Sequence, residues 1–313
     1  MRTMRVRGNM TFPRGGVPVW LAPRRLLWID TSEVLVMDPD RRRLLATRKL
    51  EGRFLDGVRV GAAVALLLAP REGIGPSRLV VVGADASVRS VDLERIRSGW
   101  TASFDGSWPA VALDPERRHV FVADSDGLVA EVDVATLAVA YHSPSRAPTA
   151  AQAEPGRRAY RKARWLGDGL LAVSGWDLYE SVDVPGRIQT RSEPAGLTLV
   201  DTRTSRFRML DERTDSFRFV NRLLLATGNR WDSATGRTVG MGVAGYVLDG
   251  SKRFHLFEGK AAWLAEAYAG RAYVFLGGKR YPIVDLDRGV AVGERRNPPA
   301  HLLLDDGITL FGR

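Results

Sequence analysis

The sequence predicts an all-β protein built from a repeated four-stranded unit, and three observations carry that prediction. Short β-branched runs alternate with Asp, Pro and Gly punctuation; a hydrophobic-Asp step recurs along the chain; and both termini carry strand-like runs too few to complete a unit. The first is clearest in residues 109–141. Strand a is Ala110–Leu113, followed by an Asp-Pro turn, and strand b is His119–Ala123, followed by a turn at Asp126-Gly127. Strand c is Leu128–Asp133, then comes a turn at Ala135-Thr136, and strand d is Leu137–Tyr141. Nothing in this window has a helical period.

The second observation is the end of strand c. Val-Asp-Val-Ala-Thr at 132–136 is echoed at 37–41, 91–95, 200–204, 231–235 and 284–288, placing Asp38, Asp92, Asp133, Asp201, Asp232 and Asp285 at equivalent turns. A carboxylate there accepts turn N–H groups two or three residues on, which pins the c–d hairpin. Their mean spacing of about 49 residues fits one four-stranded propeller blade per copy. The third observation supplies the closure. His301–Leu304 and Ile308–Phe311 end the chain, while Met4–Arg7 and Asn9–Phe12 precede the first full unit. Pairing the two halves would complete a blade and cover its open edges. With six further units near 17–50, 60–105, 108–143, 159–210, 217–240 and 262–296, the expected fold is a single seven-bladed β-propeller over 1–313. Six or eight blades are the alternatives, because a hairpin in 241–260 is unassigned.

The 109–141 window resembles the YVTN type of propeller repeat, through its Pro-x-Val-Ala start and Val-Phe-Val-Ala-Asp strand b. Trp231-Asp232-Ser-Ala-Thr-Gly236 is similar to the strand-c end of WD repeats. The resemblance implies the fold; that family hosts adaptors, ligand binders and enzymes alike, so function has to come from a site.

Composition narrows the classes. The chain has 313 residues, 45% of them hydrophobic, and no Cys, which excludes a disulfide scaffold, a Cys-ligated metal and a cysteine nucleophile. Net charge is +10, yet only Lys49, Lys162, Lys252, Lys260 and Lys279 are lysines. That Arg bias reads as a GC-rich coding sequence rather than a nucleic-acid footprint, so nucleic acid is not the expected partner. The longest apolar stretch, Val60–Pro70, is about half a bilayer span, so no membrane insertion by a helix is expected. The basic Met1–Arg7 segment is not followed by a continuous apolar region, and the expected location is cytoplasmic.

Two long segments, 143–159 and 175–195, read as loop insertions on one face: the d-to-a and b-to-c connections of a blade emerge together. The first ends in Arg157, Arg158, Tyr160, Arg161, Lys162 and Arg164, and the second carries Trp176, Asp177, Tyr179, Glu180 and Asp183. Arg offers planar forks for carboxylate or phosphate, and Trp and Tyr supply contact area. These residues form the expected partner-binding face, unless the Asp and Glu side chains neutralise the Arg run and hold the loops down. No P-loop, dinucleotide fingerprint, nucleophile elbow or H-E-x-x-H is present. His119, His142, His255 and His301 are scattered, and Asp124-x-Asp126-Gly127 reads as a b–c turn rather than a calcium loop. The expectation is a monomeric, non-catalytic scaffold for a protein or peptide, with no cofactor, no metal and no catalytic residue. The alternatives are a lactonase-like, metal-dependent hydrolase using the central channel, and a binder of an anionic ligand or nucleic acid through 157–164.

Overall fold

A computed structural model describes residues 17–21, 24–41, 43–103, 105–144, 156–182, 188–232, 236–296, 301–303 and 309–311. Among the described residues there is no helix. Antiparallel strands pair in sequence order: β1 (Val17–Leu21), β2 (Arg25–Ile29), β3 (Glu33–Asp38) and β4 (Arg43–Lys49) form the first unit. The second contains β5 (Arg53–Val60), β6 (Ala63–Ala69), β7 (Gly73–Gly83) and β8 (Val88–Trp100). After the short β9 (Gly106–Trp108), the third contains β10 (Ala110–Asp114), β11 (His119–Ala123), β12 (Val129–Asp133) and β13 (Val139–His142). The fourth is β14 (Arg157–Gly167), β15 (Leu170–Val182), β17 (Leu197–Asp201) and β18 (Arg206–Asp211), with β16 (Ile188–Pro194) inserted. The fifth is β19 (Ser216–Val220), β20 (Leu223–Asp232), β21 (Arg237–Val247) and β22 (Lys252–Leu256). The sixth is β23 (Trp263–Tyr268), β24 (Arg271–Phe275), β25 (Tyr281–Asp285) and β26 (Val290–Arg295). β27 (His301–Leu303) pairs with β28 (Thr309–Phe311). The hairpin in 241–260 therefore supplies the third and fourth strands of the fifth unit, which runs on to Leu256. Met4–Phe12, the expected partners of the C-terminal strands, lie outside the described residues.

The apolar strands are buried on both faces, and alternation explains how. In β6, Val64, Leu66 and Leu68 pack with Leu27, Ile29, Val34 and Val36 of the first unit, whereas Ala65 and Leu67 pack with Val111, Val120 and Val122 of the third. β11 repeats this: Val120 and Val122 face back, Phe121 and Ala123 face forward to Leu171 and Val173. In β20, Leu224 and Ala226 join the fourth unit, and Leu223 and Leu225 join the sixth. Each cluster thus lies between two successive sheets, so a run such as 63–69 is a doubly covered strand rather than a membrane segment. Polar groups add ties: Asn229 donates from Nδ2 to the Ala262 carbonyl (2.9 Å) and accepts from Ala262 N–H (3.0 Å).

The recurrent aspartates need two corrections. Asp38, Asp133, Asp201 and Asp285 do end a third strand and accept the N–H groups of the turn that follows. Those bonds hold the Asp38 and Asp133 carboxyls below the usual range. Asp92, however, sits inside β8 and pairs with Arg78, and Asp232 ends β20, a second strand. The turn aspartates of those two units are Asp85, bonded to Ser87 N–H, and Asp249, bonded to Ser251 N–H. Both lie two residues past the strand end rather than at it, Asp85 after Ala84 and Asp249 after Leu248. The similarity of 231–236 to a WD strand-c end therefore falls on a different hairpin.

Connections within the units are unequal. The turns between first and second strands, and between third and fourth, are short. At the opposite end β8, β14, β15, β20 and β21 overrun their units and join edge to edge. There β9 pairs with β8 and, in parallel, with β14, while β16 bridges β15 to β20. The result is one uninterrupted strand path from β5 to β22 across the decorated face.

Candidate functional site

The segment expected to be a b–c loop is mostly strand. Residues 175–182 continue β15 and 188–194 form β16; 183–187, with Asp183, lie outside the described residues. Likewise 157–159 begin β14, while 145–155 of the other expected loop are outside the described residues. The two segments are hydrogen-bonded neighbours: Arg157 stands opposite Tyr179, Ala159 opposite Asp177, Tyr160 opposite Trp176, and Arg161 opposite Gly175. Gly175 permits this. Its φ is +155°, and a Cβ there would lie 1.9 Å from the Tyr160 carbonyl oxygen.

The cations of this hairpin are largely engaged with carboxylates. Arg157 donates from Nε to Asp177 Oδ2 (2.9 Å) and Arg161 from Nη1 to Asp177 Oδ1 (2.8 Å). Arg161 Nη2 also donates to the Ser125 carbonyl at 2.7 Å. The three side chains are only 9%, 7% and 13% exposed, so this is a buried charge cluster rather than a solvated one. Arg158 pairs with Glu180 (3.2 Å) and Lys162 donates to Ser216 Oγ (3.0 Å); Arg164 is exposed. The aromatics are engaged with one another. Trp100, Trp108, Tyr160 and Trp176 stack in series at 5.7, 4.6 and 5.1 Å, with Arg53 over one end and Lys162 over the other. Register makes this a cross-strand ladder over β8, β9, β14 and β15, and such pairs stabilise a sheet beyond area alone. The ring faces of Tyr160 and Trp176 are thereby occupied within the fold.

What the hairpin leaves open is a cleft of about 620 Å³. Asp124, Ser125 and Asp126 of the β11–β12 turn form one side, and Thr198, Val200, Phe207 and Met209 of β17–β18 another. Arg157, Arg161, Asp177, Tyr179, Glu193 and Pro194 complete it. Sequence reasoning placed four of these and passed over Asp124 and Asp126. They do form the expected hairpin turn, Asp124 Oδ1 accepting Asp126 N–H (2.8 Å) and Leu128 N–H (2.9 Å). The signal that could have found them is topological: a b–c turn shares its rim with the next unit's insertions.

Asp124 is 5% exposed. Burial, reinforced by the Asp126 charge and opposed by the turn N–H groups and Arg161, pushes its carboxyl from 3.8 up to about 6. A raised carboxyl contributes most to stability below its unfolded value, and that contribution is lost as pH rises through the folded one. Asp124→Asn, which keeps the acceptor oxygen, is therefore expected to raise the melting temperature at pH 7.5, with a gain of at most about 3 kcal/mol. No gain is expected at pH 3.5, and thermal melts at the two pH values check it. Equal gains at both would mean that the charge is not the cause.

A larger cavity, about 930 Å³, is bounded by β1, β5 and residues 113–118; its lining includes Arg59 and Arg118 but no carboxylate. Among the described residues, no group of three or more His, Asp or Glu side chains is arranged to hold a metal. His119 and His142 both contact Glu131, and His142 Nδ1 meets Ser205 Oγ of the next unit at 2.8 Å. His255 Nε2 donates to the Met241 carbonyl, and the His301 side chain is outside the described set.

Successive four-stranded sheets with cores between neighbours, and connections sorted to two faces, define a β-propeller. A solved structure agrees at the level of fold. The chain is similar to a europium-containing methanol dehydrogenase (10% identity, TM-score 0.51, covering 95% of this chain and 72% of that one). BamB from Moraxella catarrhalis matches at 13% identity and TM-score 0.41, over 91% of this chain and 86% of that one. Hydrazine synthase of Kuenenia stuttgartiensis matches at 12% and 0.46, over 84% and 74%. No family model matches the chain, and the comparison with curated proteins finds no match. A fold shared at this level of identity selects no activity by itself.

Proposed function

We propose that this propeller is a non-catalytic scaffold that engages a protein or peptide partner on its strand-extended face, at the cleft between β11–β12, β14–β15 and β17–β18. One observation carries the reading: strands from three separate units overrun on one face only, and a cleft mixing charged and apolar groups opens there. Binding sites gather where a rigid scaffold carries its longest decorations. The basic run does not favour the anionic-ligand alternative, because Arg157, Arg158 and Arg161 already face carboxylates. The metal-dependent alternative has no donor set among the described residues to build on.

The test is site-directed photocrosslinking. p-Benzoylphenylalanine introduced at Met209, which lines the cleft and is 53% exposed, is expected to trap a discrete polypeptide identifiable by mass spectrometry. The same group at Thr136, in a turn at the opposite end of the units, serves as the control. Trapping from Thr136 alone, or no adduct above background from Met209, would overturn the assignment of the face.

A further inference from the structure

The charge left over in the cleft has the sign opposite to that of the chain. The protein carries a net +10, yet the cleft is lined by four carboxylates, Asp124, Asp126, Asp177 and Glu193, against two guanidiniums, Arg157 and Arg161. Asp177 takes both guanidiniums, and Glu193 is paired with Arg191 (3.2 Å) and Arg230 (3.0 Å) outside the lining. Asp124 and Asp126 remain. Asp126 is 50% exposed with one guanidinium at 3.6 Å, and its charge is not matched by a close pair. Asp124 uses Oδ1 on backbone N–H groups, while its Oδ2 receives no hydrogen bond among the described residues, although the residue is nineteen-twentieths buried. Oδ2 is not a fully enclosed atom, so this otherwise buried carboxylate keeps access at the cleft it lines, where a ligand's donor can reach it.

The rest of the lining sets the shape of that donor. Phe207 and Met209 offer apolar surface in the same cleft, backed by the buried Val129 and Val200. Gly196 keeps that side open: its φ is +86°, and a Cβ would come within 2.7 Å of Met209 Sδ. We infer that the cleft takes a cationic group on an apolar stem, a lysine or arginine side chain of the partner, with Asp124 and Asp126 receiving its N–H groups and Phe207 and Met209 covering its methylenes. Long cationic side chains bury their stems while the head seeks charge, which is the arrangement this lining complements. The inference rests on the proposed function and narrows it, from a protein or peptide to one presenting a basic residue.

The experiment is selection of a displayed random dodecapeptide library on the purified chain, followed by solution titration of synthetic consensus peptides. The consensus is expected to hold Lys or Arg beside an apolar residue. Replacing an Arg by citrulline, or a Lys by its acetylated form, is expected to weaken binding at least about tenfold, a loss typical of a charge-assisted hydrogen bond to a desolvated partner. Asp124→Asn/Asp126→Asn should lose the same factor for the charged peptide and little for the neutral one; its melting curve confirms folding. If selected peptides compete at the cleft, shown by sensitivity to Met209→Glu, but carry no cation or tolerate citrulline, the inference falls and the scaffold reading stands. If no selected peptide is sensitive to Met209→Glu, the scaffold reading itself fails and takes the inference with it.

Discussion

Asp177→Ala is expected to destabilise the fold by about 3–5 kcal/mol, the cost of leaving buried charges unpaired. Two guanidiniums less than one-tenth exposed converge on this carboxylate; without it Arg161 retains neutral carbonyl acceptors, and Arg157 keeps the Ser125 carbonyl and a 3.6 Å contact with the half-exposed Asp126. Arg164→Ala, on an exposed position of the same strand, should change stability by no more than about 0.5 kcal/mol. Chemical denaturation of the two variants makes the comparison. The triple variant Asp177→Ala/Arg157→Met/Arg161→Met is the decisive addition. Recovery of most of the loss identifies unpaired charge as the cause, whereas a deeper loss would mean that Asp177 acts mainly through packing. Charge reversal of Arg157 and Arg161 is for the same reason expected to cost stability, and it cannot serve as a clean probe of partner binding.

The second large effect is expected at Gly175. An alanine there would place Cβ 1.9 Å from the Tyr160 carbonyl oxygen, a backbone atom that can move only if β14 moves. A loss above about 4 kcal/mol, or displacement of the hairpin, is expected from a clash of that kind. Gly167, at φ +95° with nothing within 4 Å of its would-be Cβ, isolates the conformational part. Gly167→Ala should cost about 1–2 kcal/mol. Because Tyr160 and Trp176 are stacked at 5.1 Å, Gly175→Ala should also flatten the near-ultraviolet circular dichroism of the ladder, and Gly167→Ala should not. Similar losses and spectra for both variants would show that the close approach in β15 is not what holds the hairpin.

These two positions show where sequence reading succeeded and where it stopped. That 157–164 and 175–180 are neighbours followed from connection topology alone: a d-to-a and a b-to-c segment of one blade leave it at the same end. That they are one hairpin did not follow, because Arg-rich and Trp-Asp-Leu-Tyr-Glu segments have no strand signature strong enough to outweigh their polarity. Their partner strands β9 and β16 are three and seven residues long; β9 lies far upstream of β14, while β16 falls within the 175–195 segment itself. The six-aspartate pattern shows the same limit. Asp38, Asp133, Asp201 and Asp285 were found because a local carboxylate-to-N–H turn leaves a local signature. Asp85 and Asp249 perform the same task two residues past the strand end, and they escaped because Val91-Asp92 and Trp231-Asp232 filled the same place in the spacing.

The sequence by itself determined the all-β class and the four-strand repeat, since strand alternation and turn chemistry are short-range properties. Tertiary structure alone decided that Arg157 and Arg161 meet Asp177 while Arg158 meets Glu180, that four aromatic rings are spent on one another, and that Asp124 and Asp126 line the open cleft. Each of those outcomes depends on which side chains from different sheets meet in a low-dielectric interior. Such meetings are set by strand register and sheet packing over tens of residues, and no local pattern records them.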